Sequence, residues 1–415
     1  MSDEVRTVAA RWIFPVEGAP IEQGMIVIAN GRIESIGRRD GRSVDRDFPA
    51  AALVPGFVNA HTHLELTSIA GDESDEIRWL HSVIEHRRRS TPEASAAAIE
   101  ANLAQAIRLG TTLIGDVTTD FASAYMLGRA PLRSFSYSEL IGLKYERGFE
   151  TTRRAWEIAE RLDAETREDS VASGVRGDRR LGFSPHAPYS TAGWIYRKAA
   201  ASGRPLMTHL AETPEEIELL RDRSGRMREL LESIGAWDEN WAPIGSNPAD
   251  YLTSDGLERV DWIVAHGTYF RDEDLSIFAI SADSDDPRRS IVFCPRTHAR
   301  FGHSAHPYRR ILDLGGAVCI GTDGLSSAAT LGVLDELRYV RRVDRDFDCG
   351  TLLRLGTHSG AWAFRLERET GSLAPGKSAD IAAVAIPDRE TSDPYELLFD
   401  SDLPVVATMF RGRFV

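Results

Sequence analysis

From about Phe57 to about Ala363, short apolar runs ending in polar or glycine residues alternate with longer helical stretches. That alternation restricts the chain to a fold with a parallel sheet, because parallel strands must be joined by crossovers of a dozen or more residues. Eight such runs are read as strands: Gly56–His63, Thr111–Thr118, Leu132–Leu140, Leu181–His186, Pro205–Glu212, Asp261–Gly267, Ser290–Pro295 and Ala317–Asp323. Between them Pro92–Leu109, Thr191–Ala201, Pro214–Ile234 and Leu334–Val343 read as helices, several with proline near the start. Eight strands with intervening helices read as a closed (β/α)8 TIM barrel. An open doubly wound sheet competes, but it more often carries a glycine-rich phosphate turn after its first strand, and none is present.

Outside this stretch Val5–Ile13, Met25–Ala29 and Arg32–Ile36 read as strands, the last two joined by the Asn30-Gly31 turn, and Ala379–Ala385 and Val405–Phe410 repeat that character. The expected organisation is an α/β chain in which residues 56–367 form the barrel and residues 1–55 and 368–415 meet in one small β-sandwich domain. A chain of 415 residues accommodates both, since a barrel takes roughly 250. The irregular segment Ala236–Tyr251, with Trp237, Trp241, Pro243, Gly245 and Pro248, is expected as a loop over the site.

Charge narrows the partners. With 49 basic and 63 acidic residues the net charge is -14, which opposes phosphate backbones and anionic lipid surfaces, so neither nucleic acid nor membrane is expected. Met1 to Val16 carries no apolar run of signal-peptide length and no segment approaches the ~20 apolar residues of a membrane span, so a cytoplasmic location is expected. Cys294, Cys319 and Cys349 have no close pair spacing, which argues against both a disulfide framework and a thiolate metal site and leaves nitrogen and oxygen ligands for any metal.

In a β/α barrel the active site lies where the strands end. His61 and His63 close the first strand two positions apart and so face one side of it. His209, His266 and Asp323 fall at the ends of strands five, six and eight. Singly each of these histidines reads as readily as a hydrogen-bonded core residue; together they converge as a site of imidazoles and one carboxylate. Such a set suits one zinc ion, with iron or manganese as alternatives, whose bound water ionises near neutral pH. Glu212, three residues beyond His209, reads either as a helix-start acid or as a proton shuttle, and the second reading is preferred because expelling ammonia from an aromatic ring requires protonating a ring nitrogen and then the leaving amine.

His186, between Pro185 and Ala187-Pro188 at the end of strand four, reads as a positioned substrate contact or as packing. After strand seven Arg296, His298, His303 and His306 lie near the same mouth, either reading a polar or anionic substrate group or forming a solvated loop. Arg87-Arg88-Arg89 reads as a charged helix face, and Trp362 with Phe364 as core.

The segment Pro55-Gly56-Phe57-Val58-Asn59-Ala60-His61-Thr62-His63-Leu64-Glu65 resembles the first-strand signature of the amidohydrolase superfamily. His209-Leu210-Ala211-Glu212, Ala265-His266-Gly267, Cys294-Pro295-Arg296, Gly321-Thr322-Asp323 and Gly371 to Asp380 resemble its cytosine deaminase and chlorohydrolase branch, in order along nearly the whole chain. The resemblance implies that His61, His63, His209 and Asp323 bind the metal, that His266 orients the hydroxide, and that Asp323 and Glu212 move the proton. Ser184-Pro185-His186-Ala187-Pro188-Tyr189 and Trp79-Leu80 look most like aminodeoxyfutalosine and adenosine-type deaminases, which implies substrate contacts for His186 and Trp79. Binuclear members place a carboxylated lysine where this chain has His186, so the resemblance implies one metal. After Cys-Pro-Arg the chain departs from many relatives, carrying Thr297-His298 in place of Ser-Asn. The expectation is a metal-dependent aminohydrolase acting on an adenine-type nucleoside, with chloride displacement or cyclic-amide opening as the alternative and a non-catalytic scaffold as a remote one; a homodimer is expected.

Overall fold

The computed structural model describes residues 6–69, 74–169, 179–283 and 285–415. Met1–Val5, the start of the expected N-terminal segment, lies outside them. Four strands precede the first helix-linked one: β1 (Arg6–Ile13), β2 (Ile21–Ala29), β3 (Arg32–Arg38) and β4 (Arg46–Pro55). The eight strands of the alternating stretch are β5 (Phe57–Thr62), β6 (Thr111–Thr118), β7 (Arg133–Leu140), β8 (Arg179–Pro185), β9 (Met207–Leu210), β10 (Trp262–His266), β11 (Arg289–Phe293) and β12 (Ala317–Ile320). β13 (Ile381–Ala385), β14 (Val405–Phe410) and β15 (Arg413–Phe414) end the chain.

β5 to β8 form one parallel four-stranded sheet and β9 to β12 another. Parallel bridges span both gaps, Phe183 with Leu206 and Thr62 with Asp323. The amides of Thr322 and Asp323 both donate to the His61 carbonyl, at 3.1 and 3.2 Å. Every residue of β5, β6, β7, β9, β10 and β12 is buried, the signature of strands covered on both faces. That is why β10 and β12 read as nearly unbroken apolar runs, whereas β7 buries Ser134, Ser136 and Ser138 between its aromatic residues.

Helix ends follow local chemistry. Helix α1 (Glu76–Arg89) is capped by the Asp75 carboxylate, which accepts from the Arg78 amide, and α2 (Pro92–Arg108) by Thr91, with proline in its first turn. The single helix expected over Pro214–Ile234 is two, Pro214–Asp222 and Arg226–Ser233. Arg223 at φ 53° and Gly225 at φ 90° end the first, because left-handed backbone cannot continue an α-helix.

Both termini enter one seven-stranded sheet, order β15-β14-β13-β4-β1-β2-β3. The expected sandwich of two sheets is therefore corrected to one continuous sheet that bends over its own inner face. Ile26, Ile33, Leu53, Ile381 and Met409 share one core there. The bend brings the β3 edge back to the segment before β13, with Ile33 N–H donating to Lys377 O at 2.8 Å and Ala379 N–H to Gly31 O at 2.9 Å. β4 was not anticipated, because Pro49 and a run of alanines hide a strand, yet it is the seam, parallel to β1 and antiparallel to β13. Among the described residues no helix is long and apolar enough to cross a membrane.

Candidate metal and substrate site

The polar ends of the expected strands leave the sheets and converge. Ala211, His266 and Asp323 adopt φ of 54°, 68° and 55°, left-handed backbone that is costly for non-glycine residues and clusters at functional sites. Asn59 locks two of these ends together: its amide donates to Thr322 Oγ1 at 2.7 Å and its carbonyl oxygen accepts from the Thr322 amide at 3.1 Å, all fully buried.

His61, His63 and His209 form one group with ligand atoms within 4.8 Å of each other, and His61, His266 and Asp323 form a second. Asp323 Oδ1 lies 3.7 Å from Nε2 of both His61 and His63. Ser327 Oγ donates to its other oxygen. His63 Nδ1 faces the Val117 carbonyl at 3.0 Å and His209 Nδ1 the His186 carbonyl at 3.0 Å. A carbonyl only accepts, so both Nδ1 atoms carry the proton and both Nε2 atoms present bare lone pairs.

Those two Nε2 atoms are 3.2 Å apart, and the buried His61 Nε2 has no hydrogen-bond partner. Facing lone pairs and an orphaned buried nitrogen are unfavourable without a cation among them. The donor set therefore fits a divalent metal. Burial and the neighbouring His61 push the His63 imidazolium pKa down to about 3, and burial lowers His209 and His266 well below the ordinary histidine value. Burial alone would raise the Asp323 carboxyl, but the surrounding imidazoles hold it well below the usual range. Neutral imidazoles and an ionised carboxylate are the ligating forms.

Glu212 Oε1 lies 3.1 Å from His266 Nε2. Burial, reinforced by Glu76, Asp323 and Glu216, raises its carboxyl well above the ordinary value. Helix capping falls instead to neighbours: Thr213 accepts from the Glu216 amide at 2.9 Å, and Glu216 accepts from the amides of Ala211 and Glu212 at 2.9 and 3.0 Å. The Glu212 carboxyl is left to face the cavity.

That cavity measures about 530 Å³. Its inner end holds His63, His209, Glu212, His266 and Asp323; Trp79, Leu80 and Val83 of α1 and Met227, Leu230 and Leu231 of the Arg226–Ser233 helix line its sides. Trp79 Nε1 donates to the Ser326 carbonyl at 3.0 Å, which fixes the indole against the cavity. His186 also lines it.

Other expected positions lie elsewhere. Arg296 does not line the cavity: its Nε donates to Glu336 Oε1 at 2.7 Å and its Nη atoms to Thr330, a match for a buried carboxylate rather than for substrate. His298 donates to the Ser304 carbonyl at 2.9 Å and, with His303 and His306, borders a small space of about 10 Å³ beside Glu212 and His266. The loop Ala236–Tyr251 contributes only Ala236, because Trp237, Trp241 and Tyr251 are buried in the core instead. Phe364 is buried, stacked on Phe135 at 4.4 Å, while Trp362 is only partly buried.

Arg87 overturns the charged-face reading. It turns inward to line the cavity, with Nη2 3.0 Å from Glu65 Oε1 and Nη1 on Glu139 Oε2. Glu139 went unnoticed in the sequence, although a carboxylate next to the last residue of a barrel strand carries the same positional signal as His61.

The amidohydrolase family model matches residues 52–415. The chain belongs to the amidohydrolase family. It is 25% identical over 377 residues to the 5-methylthioadenosine/S-adenosylhomocysteine deaminase of Thermococcus sibiricus, covering 86% of this chain and 80% of that protein. Its fold matches Helicobacter pylori aminofutalosine deaminase at TM-score 0.80 with 21% identity, over 99% of this amidohydrolase and all of that chain (100%). The zinc complex of atrazine chlorohydrolase from Arthrobacter aurescens matches at TM-score 0.75 with 19% identity, over 98% and 94%.

Proposed function

We propose that this amidohydrolase is a metal-dependent hydrolytic deaminase of an adenine-type nucleoside. The observation that carries the reading is Glu212, facing the cavity 3.1 Å from His266 Nε2 beside the ligand cluster, with its carboxyl raised above the ordinary value by burial. The deaminase relatives support the same reading. In it β5 to β12, within residues 56–367, form a closed (β/α)8 barrel joined through the Phe183–Leu206 and Thr62–Asp323 bridges, and residues 1–55 and 368–415 form the second domain.

His61, His63, His209 and Asp323 hold one divalent ion, zinc in preference to iron or manganese, which supplies the acidity that makes water a nucleophile at neutral pH. Asp323, ionised at neutral pH, accepts a proton from the attacking water. Glu212 gives its proton to the ring nitrogen as the C–O bond forms, so that the ring does not build charge; the proton taken up by Asp323 then passes to the amine, the C–N bond breaks with loss of ammonia, and the remaining hydroxyl proton returns to Glu212 as the carbonyl forms. His266 orients the attacking oxygen. Trp79 and His186 contact the substrate.

The test is ammonia release by metal-loaded protein from a panel of aminopurine nucleosides, with Glu212→Gln. Turnover is expected on at least one nucleoside, and the variant is expected to lose roughly 10²- to 10⁴-fold in kcat while keeping its metal. Chloride release from halotriazines without ammonia release from any nucleoside would replace this reading with the chlorohydrolase one. A chain that binds no metal would be a scaffold.

A further inference from the structure

The cavity wall beside the ligand cluster holds a second feature that the deamination chemistry does not use. The Glu139 side chain is 2% exposed. Its Oε2 accepts from Arg87 Nη1, and Arg87 is itself fixed from the other side by Glu65, whose carboxylate accepts from Thr118 Oγ1 at 3.2 Å and Thr119 Oγ1 at 3.1 Å. The other oxygen, Oε1, has no hydrogen-bond partner, although a buried carboxylate oxygen left bare is costly. It faces His186 Nε2 at 3.6 Å.

The histidine is oriented too. Ser190 Oγ donates its one proton to the Ala187 carbonyl at 3.2 Å, so it accepts from His186 Nδ1 at 2.6 Å and leaves Nε2 as an acceptor. Two acceptors, the buried Glu139 Oε1 and the partly buried His186 Nε2, thus face each other in the cavity, too far apart to bond and with no donor between them. They call for a ligand carrying two adjacent donors. An ammonium group is disfavoured, because the exposed cations Arg88, Lys144 and Arg147 line the same cavity. Neutral hydroxyls meet no such penalty.

We propose that Glu139 Oε1 and His186 Nε2 form a diol-binding subsite that selects a ribonucleoside over its deoxy forms, with Arg87 as the positioning residue that aims Glu139. This rests on the deaminase reading. Burial alone would raise the Glu139 carboxyl, but Arg87, His186 and His63 hold it down at about 2, so it stays an acceptor throughout the working range.

The test compares kcat/KM of metal-loaded wild type and Glu139→Gln on adenosine, 2′-deoxyadenosine, 3′-deoxyadenosine and 2′,3′-dideoxyadenosine. Wild type is expected to favour adenosine over the dideoxy compound by about 10- to 100-fold, the worth of hydrogen bonds to a charged acceptor. In Glu139→Gln, Arg87 takes the amide oxygen and turns the NH2 toward His186 Nε2, so the ratio is expected to collapse toward one. Arg87→Gln, which releases Glu139, is expected to lower the ratio in the same direction. A wild type indifferent to the hydroxyls, or a ratio unchanged in Glu139→Gln, overturns the proposal.

If neither these four nor any nucleoside of the wider panel is deaminated, the functional reading fails, and calorimetric binding of the same four nucleosides decides the subsite separately. A hydroxyl preference in binding that Glu139→Gln erases supports it; equal binding with and without the diol, or no binding at all, overturns it.

Discussion

His63 and His209 come from different parallel sheets, yet their Nε2 atoms face each other at 3.2 Å, each with Nδ1 anchored on a backbone carbonyl. Neither ring can turn its lone pair away without abandoning a buried carbonyl acceptor. The pair therefore fits one half of a metal site better than a contact between two neutral side chains.

Metal removal is thus expected to destabilise the fold as well as abolish activity. A metal at 100 times its dissociation constant adds about 2.7 kcal/mol to stability, so chelation is expected to lower the melting temperature by several degrees and readdition to restore it. Elemental analysis of His63→Ala and His209→Ala should show loss of the bound ion. Full metal occupancy in both variants would refute this assignment of ligands.

Arg296 is expected to behave as a structural residue. Its removal strands Glu336, which is fully buried and whose carboxyl burial pushes up to about 7 even with the arginine present. Arg296→Met is expected to lower unfolding free energy by about 3 kcal/mol, the usual cost of breaking a buried pair, measured by denaturant titration. KM of the folded fraction should stay essentially unaltered, and a large rise in KM at unchanged stability would place Arg296 against substrate after all.

The Glu139 carboxyl gives an acid-side prediction. Its folded pKa of about 2 lies below the ordinary 4.5, so the ionised form is favoured by folding, and its contribution is present above about 4.5 and lost as pH falls toward 2. Each tenfold difference in proton affinity between the folded and unfolded chain is worth about 1.4 kcal/mol. The stability gap between wild type and Glu139→Gln is expected to be constant near neutrality and to close through that window. A gap independent of pH down to 2 would contradict the depressed value.

The strands of the alternating stretch were legible because parallel strands buried on both faces are rich in apolar residues, and Thr111–Thr118 was read to the residue. Elements that depend on distant partners were hidden. β4 carries two prolines and three alanines and is a strand only because β1 and β13 flank it. Trp237 and Trp241 looked like loop residues over a site, but indoles of that size lower their free energy more by entering the core.

The site divides in the same way. Spacing and strand ends sufficed to bring His61, His63, His209, His266, Asp323 and Glu212 together, since side-chain alternation and strand direction fix where such residues point. Which arginine faces inward did not follow from sequence. Arg87 and Arg296 are both long, flexible and cationic, and each went where a buried carboxylate waited, Glu139 in the cavity wall for one and Glu336 behind it for the other. Periodicity within the chain determined the scaffold and the cluster of polar residues at its strand ends. Only tertiary packing decided the charge pairs, because a buried carboxylate must find a cation and the sequence does not say which one lies in reach.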